Sequence, residues 1–289
     1  MLKALKKYKA PYLFILPFFI LFFVFQLVPT IWTFYISFTD WKGIGDPEFS
    51  GLGNYKKMMV DNMFWESLGN TVVYWLTGLV FILFCALLIA CLLNSRFLKS
   101  NSARAFFKTA TFLPNICAAI AMGLIFRMLF DENVGLFNEL LTIFGGSKIP
   151  WLTSTKIPVI ILNVWRYTPW FTMILLSGLL NISKDYYEAA TVDGATGLQQ
   201  FWYITLPSLK NILFFCSVTL TVDMWKLFNE SYILPGPGTS NTSLFQYMYE
   251  SGFNVFNMGY ASAIGVVLIL ILIVISVIQF IVRHKQGEI

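Results

Sequence analysis

Six stretches of this sequence are each long and apolar enough to cross a hydrocarbon layer of ~30 Å as a helix, a crossing that takes about 20 residues. They cover residues 11–38, 68–93, 105–130, 157–180, 210–231 and 258–282. The pattern predicts an all-α integral membrane protein with six transmembrane helices, folded as one domain over residues 1–289. Composition agrees, because only 12% of the residues are charged against about 25% in an average soluble domain. Pro11 and Pro207 fall at or just before helix starts, where the missing N–H costs nothing. Pro17, Pro114 and Pro169 lie inside the stretches and are expected to kink or locally adjust them.

Several function classes drop out at this level. The net charge of +5 comes from lysines and arginines that flank apolar stretches and form no patch, so it carries no nucleic-acid signal. Cys85, Cys91, Cys117 and Cys216 lie within apolar segments without the spacing of a metal site or disulfide framework, and read as small hydrophobes. A single histidine, His284, argues against histidine-based metal or acid-base chemistry. The start, "MLKALKKYKAPYLFILPFFILFFVF", is basic and then apolar like a signal peptide, but its apolar run is long and lacks a small-residue cleavage site. It reads as a retained first span.

Six spans place both termini on one side, so basic residues can be counted on alternate sides. One side carries Lys3, Lys6, Lys7, Lys9, Arg96, Lys99, Arg104, Lys108, Lys184, Lys210, Arg283 and Lys285; the other carries Lys42, Lys56, Lys57, Lys148 and Lys156. Positive residues collect inside, and both termini are therefore expected in the cytoplasm, together with the loop at residues 181–209. The glycine-, proline- and asparagine-rich loops after spans one, three and five are expected to face outward.

The 181–209 loop is too polar to span and too helix-prone to be a plain connector. Asn181 and Ser183 are candidate N-caps, with Asp185 and Glu188 near the positive end of a first short helix. Gly194 breaks the pattern, and Thr196 can cap a second short helix from Leu198 to Ile204 before Leu206 and Pro207 lead into span five. A helix resting on lipid headgroups is one reading. Such helices favour basic polar faces, however, and the acids on this first helix favour a protein partner.

The loop contains Glu188-Ala189-Ala190, then Gly194, then Ile204-Thr205-Leu206-Pro207. At this full spacing it resembles the EAA motif of the permease subunits of bacterial ABC importers. "SGLGNYKKM", "FFKTATFLPN", "GLFNELL", "WL" and "PGPGTSNTS" resemble the sugar-permease branch, with its maltose, oligosaccharide and glycerol-phosphate types, over nearly the whole chain. The resemblance implies a bacterial inner-membrane location and a coupling helix received in a groove on a separate ATPase. Tyr187, Glu188, Ala189, Ala190, Asp193, Gly194, Ile204, Leu206 and Pro207 would form it. It also implies a second homologous permease, two ATP-binding subunits that hold ATP and Mg, an extracytoplasmic solute-binding protein, and alternating access driven by ATP. No cofactor is expected in this chain, and no G-x-x-x-x-G-K-[ST] phosphate loop occurs in it, so it is not expected to be an enzyme.

Polar side chains within spans are functional candidates by default. Span four aligns Asn163, Arg166 and Trp170 at i, i+3 and i+7, with Tyr167 beside them; span five places Thr219, Asp223, Lys226 and Glu230 on one stripe. Arg166 and Asp223 each lie ~12 Å below the outer end of their span at 1.5 Å per residue, so they could meet. Two readings stand: an Arg166–Asp223 or Asp223–Lys226 pair that only holds helices, or a hydrated cavity for a hydroxyl-rich solute, a neutral di- or oligosaccharide. Arg127 is read as structural, snorkelling outward or pairing with Asp131. Rival classes are an ion-coupled secondary transporter using Asp223, an integral-membrane enzyme, and an ABC permease for glycerol phosphate, an anionic sugar or another solute.

Overall fold

The computed structural model describes residues 9–95, 100–234, 236 and 240–285. Lys3, Lys6, Lys7, Arg96 and Lys99 of the charge count, and residues 235 and 237–239 of the loop after span five, lie outside the described residues. In chain order the helices are α1 (Lys9–Phe22), α2 (Val28–Ile36), α3 (Gly53–Val60), α4 (Asn62–Asn94), α5 (Asn101–Ile116), α6 (Ala119–Leu129), α7 (Leu136–Ile143) and α8 (Trp151–Ser154). They continue as α9 (Ile157–Leu180), α10 (Lys184–Val192), α11 (Gly197–Gln200), α12 (Leu206–Ser208), α13 (Lys210–Trp225), α14 (Asn229–Ile233), α15 (Leu244–Tyr249) and α16 (Met258–Lys285). Apart from one isolated bridge between Thr39 and Phe49, the described residues hold no β-structure.

Among the described residues, five helical segments are long and apolar enough to cross a membrane: Tyr12–Ile36, Asn62–Asn94, Ile157–Leu180, Lys210–Ile233 and Met258–Lys285. The sixth expected span, 105–130, is two helices, α5 and α6, that meet at 92°. Pro114 explains the break: it cannot donate to the Ala110 carbonyl and its ring crowds that oxygen, and the backbone turns extended at Cys117 and Ala118 three residues later. Proline also shapes the first span and the 181–209 loop. Pro29 and Pro207 each stand in the first turn of an α-helix, α2 and α12, and each follows a single turn of π-helix, Phe23–Leu27 and Phe201–Thr205. The wider turn accommodates the carbonyl that the proline ring would strike.

The chain divides into two compact units. The first contains Met1–Asp61 and Met248–Ile271. Its polar anchor is the buried Asn54 of α3, whose Nδ2 donates to the Ser37 and Thr39 carbonyls at 3.0 and 2.8 Å. Gly259 starts the small-residue run of α16, and a Cβ there would stand 2.1 Å from the Thr39 oxygen. Only glycine allows that approach, and the neighbour it admits belongs to this same chain.

The second unit contains Asn62–Tyr247 and Leu272–Ile289. Its core forms where α4 lies against α9 and α13, with Ile82, Ala86, Ala90, Phe171, Leu175, Leu209, Leu220 and Met224 all buried. Gly178 sets the α9 to α13 spacing, since a Cβ there would meet Ile212 Cδ1 at 2.3 Å. A second cluster joins Tyr74, Phe126, Phe130, Val159, Leu162, Leu227 and Leu234. Beside it, part of the loop after span five packs into the protein: Asn241, Thr242, Ser243 and Leu244 are buried. Asn70 Nδ2 donates to the Thr242 carbonyl at 3.0 Å, Tyr74 Oη donates to that of Asn241 at 3.0 Å, and Leu244 N–H donates to Thr71 Oγ1 at 2.8 Å.

Candidate functional site

The 181–209 loop folds as its residues dictate. Ser183 caps α10 by accepting the Asp185 N–H at 3.3 Å. At the other end, Ala195 N–H donates to the Ala190 carbonyl at 2.8 Å and Gly194 N–H donates to that of Thr191 at 3.1 Å. With Gly194 at φ +81°, this is a Schellman close, a conformation that glycine adopts without a Cβ penalty. Thr196 and Gln199 form a reciprocal capping box on α11.

Two side-chain bonds then brace the halves of the loop: Tyr187 Oη to Thr205 Oγ1, and Gln200 Nε2 to Thr191 Oγ1, both 2.9 Å. Thr205 and Tyr187 are thereby drawn inward, with Ala190, Ile204 and Leu206 half-buried. Glu188, Ala189, Asp193, Gly194 and Pro207 stay exposed, beside exposed Tyr186, Val192, Leu198, Trp202 and Tyr203. A braced turn thus leaves acidic, apolar and aromatic side chains exposed. The second helix departs from expectation in one detail: α11 ends at Gln200 and the π turn carries the chain onward through Thr205.

The span-four and span-five residues assemble differently from their sequence stripes. Arg166 is ion-paired with Glu230, a residue 2% exposed, and its guanidinium also lies over the Tyr167 ring at 5.3 Å. Asp223 is not the partner. The reason is a break in span five: α13 ends at Trp225, the backbone leaves helical geometry at Leu227 and Phe228, and α14 restarts at Asn229. The restart turns Glu230 off the Thr219–Asp223–Lys226 stripe and towards α9. Hydroxyls patch the break, with Ser231 Oγ donating to the Phe228 carbonyl at 3.1 Å and Ser243 Oγ donating to that of Leu227.

Around this pair, Asn163 is buried one turn away, and neither its Oδ1 nor its Nδ2 has a hydrogen-bond partner among the described residues. The buried indole N–H of Trp225 is likewise without one. Asp223 is half-buried and within electrostatic reach of Lys226, which is exposed at the end of α13. Thr219 turns its hydroxyl onto the Phe215 carbonyl at 2.9 Å. Trp170 keeps its place on the α9 stripe, but that stripe passes from cover into a groove of about 780 Å³ lined by Phe112, Met173, Asn181, Asn211 and Phe215. It stands 48% exposed, apart from the ion pair.

Two polar hubs carry no sequence signal of their own. Thr221 Oγ1 accepts from Trp75 Nε1 at 3.0 Å and from Gln279 Nε2 at 2.9 Å, tying α4, α13 and α16 together. Asn138, fully buried within "GLFNELL", donates to the Asp131, Glu132 and Ile149 carbonyls and accepts from Ile149 N–H and Trp151 Nε1. Asp131 Oδ1, in turn, accepts the Asn133 and Val134 N–H groups at 2.9 and 3.0 Å. Those bonds, Val134 first, hold its carboxyl below the usual aspartate range.

Residues 78–287 match the family of binding-protein-dependent transport system inner membrane components, and the chain belongs to that family. It is a multi-pass membrane permease subunit. Among its relatives is the arabinooligosaccharides transport system permease protein AraP of Bacillus subtilis (strain 168), 36% identical over 94% of this chain and 88% of that protein. The lactose transport system permease protein LacF of Rhizobium radiobacter is 32% identical over 95% and 94%. The fold matches a solved bacterial ABC transporter involved in alginate import, with a TM-score of 0.84, 22% identity and 98% of each chain covered.

Proposed function

We propose that this chain is the permease subunit of an ATP-driven carbohydrate importer, forming half of the pathway for a neutral di- or oligosaccharide, with both termini cytoplasmic. In this reading the exposed face around Glu188 and Gly194 docks into a groove on a separate ATPase that binds ATP and Mg. The observation that carries it is the bracing of the 181–209 loop. A docking element that transmits force must not yield locally, and the Schellman close, the capping box and the two cross-loop bonds make this one stiff while leaving Glu188 free to engage a partner. The loop runs through α12 directly into α13, so a pull on it acts on the helix that bears Asp223 and leads to Glu230.

Carbohydrate is favoured by the named substrates of the relatives, arabinooligosaccharides, lactose and trehalose/maltose. Neutrality is favoured by the pairing of Arg166 with Glu230, which cancels the one deep cation of span four. The open amide of Asn163 suits hydroxyl recognition. A solved alginate transporter binds a periplasmic protein carrying an alginate pentasaccharide, and a solute-binding protein, a second permease and two ATPase subunits complete the assembly proposed here.

The test is Glu188→Lys in the assembled importer, reconstituted in vesicles with its ATPase and binding protein. Uptake of the transported oligosaccharide should fall at least tenfold while membrane insertion stays at the level of the parent chain. Undiminished uptake would sink the docking role. A panel of neutral and anionic sugars in the same vesicles tests the substrate class, and ATP hydrolysis stimulated only by anionic sugars would overturn it.

A further inference from the structure

Away from the pathway residues, a pocket of about 320 Å³ opens between α4, α13 and the end of α16, lined by Leu83, Lys210, Phe214, Ser217, Gln279 and Arg283 with Leu213 and Val282. Its chemistry is graded along the helices. Lys210 begins α13 and Arg283 lies in the last turn of α16, and the two helix ends are joined by the Arg283 guanidinium donating to Asn211 Oδ1. Both cations therefore stand at one level, the end of the two spans. Deeper in, by four residues along α16 and seven along α13, come Gln279 and Ser217, ~6 and ~10 Å further at 1.5 Å per residue. Leu83, Leu213, Phe214 and Val282 supply apolar wall.

We infer that this pocket binds the headgroup of an anionic, hydroxyl-bearing phospholipid, with phosphatidylglycerol as the simplest example. A phosphate level with Lys210 and Arg283 meets two cations, and Arg283 is held in place by Asn211 and by the Phe214 face, 5.4 Å from its Cζ. Gln279 gives its amide N–H to Thr221, and its Oε1 is buried without a hydrogen-bond partner among the described residues. A headgroup hydroxyl supplies the donor that this acceptor lacks. The volume equals that of about ten waters at ~30 Å³ each, room for a phosphate and a three-carbon headgroup, and the apolar wall continues where the acyl chains begin. A freely diffusing phosphate would match the cations but leave that wall bare. Basic pockets between spans at the positive-inside face are where anionic lipid accumulates.

The experiment uses the full-length chain in nanodiscs of phosphatidylcholine doped with phosphatidylglycerol, with retained lipid counted by native mass spectrometry. Phosphatidylglycerol should be retained in preference to phosphatidylcholine. Lys210→Gln, at an exposed position, should weaken retention about fivefold, the effect of one basic residue at an anionic membrane surface, with the thermal stability of the variant measured alongside. Arg283→Gln should do the same or more, and Gln279→Leu should erase any preference for phosphatidylglycerol over phosphatidic acid. Equal retention of the neutral lipid, or no change with Lys210→Gln, would overturn the site. Displacement of the lipid by millimolar inorganic phosphate would reassign it to a soluble anion and overturn the lipid reading.

Discussion

Removing Arg166 strands a carboxylate. Glu230 has a side chain only 2% exposed, against 22% for Arg166, so the two members of the pair are not equivalent. Breaking a buried ion pair by deleting one partner costs about 3–5 kcal/mol, because the remaining charge is left without compensation. Arg166→Met should lie near that range, a shift of about 100-fold or more in the folded fraction. Glu230→Gln should cost less, about 1–3 kcal/mol, since Arg166 keeps partial access to water and the Tyr167 face. The double variant removes both charges and should recover most of the loss, giving a coupling energy of ~3 kcal/mol or more. Pairwise polar couplings measured inside bilayers average only ~0.6 kcal/mol, so the prediction is demanding. Reversible unfolding in mixed micelles measures all four corners of the cycle. A coupling below ~0.5 kcal/mol would refute the assignment of these residues as a pair. Asp223→Asn is the control: with the helix break separating it from Glu230, it should not couple to Arg166.

Three other outcomes follow from local geometry. At Gly194, φ +81° with open space around a built Cβ means that substitutions are strained by backbone alone; Gly194→Val should cost about 1–2 kcal/mol and lower uptake, with Gly194→Asn retaining more than Gly194→Val, and equal uptake by both would count against the Schellman close. Asn138→Ala leaves the Ile149 N–H and the Trp151 indole N–H without acceptors in a buried site and should destabilise by about 3 kcal/mol, read as a loss of thermal stability. Because the Asp131 carboxyl is held below its ordinary value of ~3.9, the turn's stabilisation is full above that value and lost as pH falls through the lower folded-state one. Protection factors of the Asn133 and Val134 amides should drop in that acid window, and Asp131→Asn should remove the pH dependence.

How much of this was legible in the sequence depends on whether local or distant chemistry decides each feature. Span positions follow from hydropathy over twenty residues, and five of them recur within a few residues of their expected bounds. The 181–209 loop was legible almost residue by residue, because caps, glycine closes and turn chemistry are written in neighbouring side chains: Ser183, Gly194 and Thr196 do in the fold what their types dictate. The broken third span was half legible, since Pro114 announces a disturbance but not its size. A 92° turn requires Cys117 and Ala118 to go extended, and Ala118, of the best helix-forming type, gives no sign of it.

The polar residues of spans four and five fall at the opposite extreme, and the cause is a single phase error. A helical stripe relates residues four or three apart only while the helix continues. Thr219, Asp223 and Lys226 fit one, and extending the same period to Glu230 is sound until the backbone leaves the helix at Leu227. What holds it out is tertiary: Ser243 bonds the Leu227 carbonyl from sixteen residues away, and Leu227 itself packs with Tyr74, Phe126 and Leu162. None of these lies within reach of a sequence window around span five. The same long-range anchoring buries Asn241, Thr242 and Ser243, residues whose types ordinarily signal an exposed turn. The break and the buried loop are thus one structure, with the loop supplying the hydroxyl that the interrupted helix lacks and the interruption freeing Glu230 to reach Arg166. Ser243→Ala, which removes the hydroxyl on the Leu227 carbonyl, is therefore expected to loosen the Arg166–Glu230 pair as well.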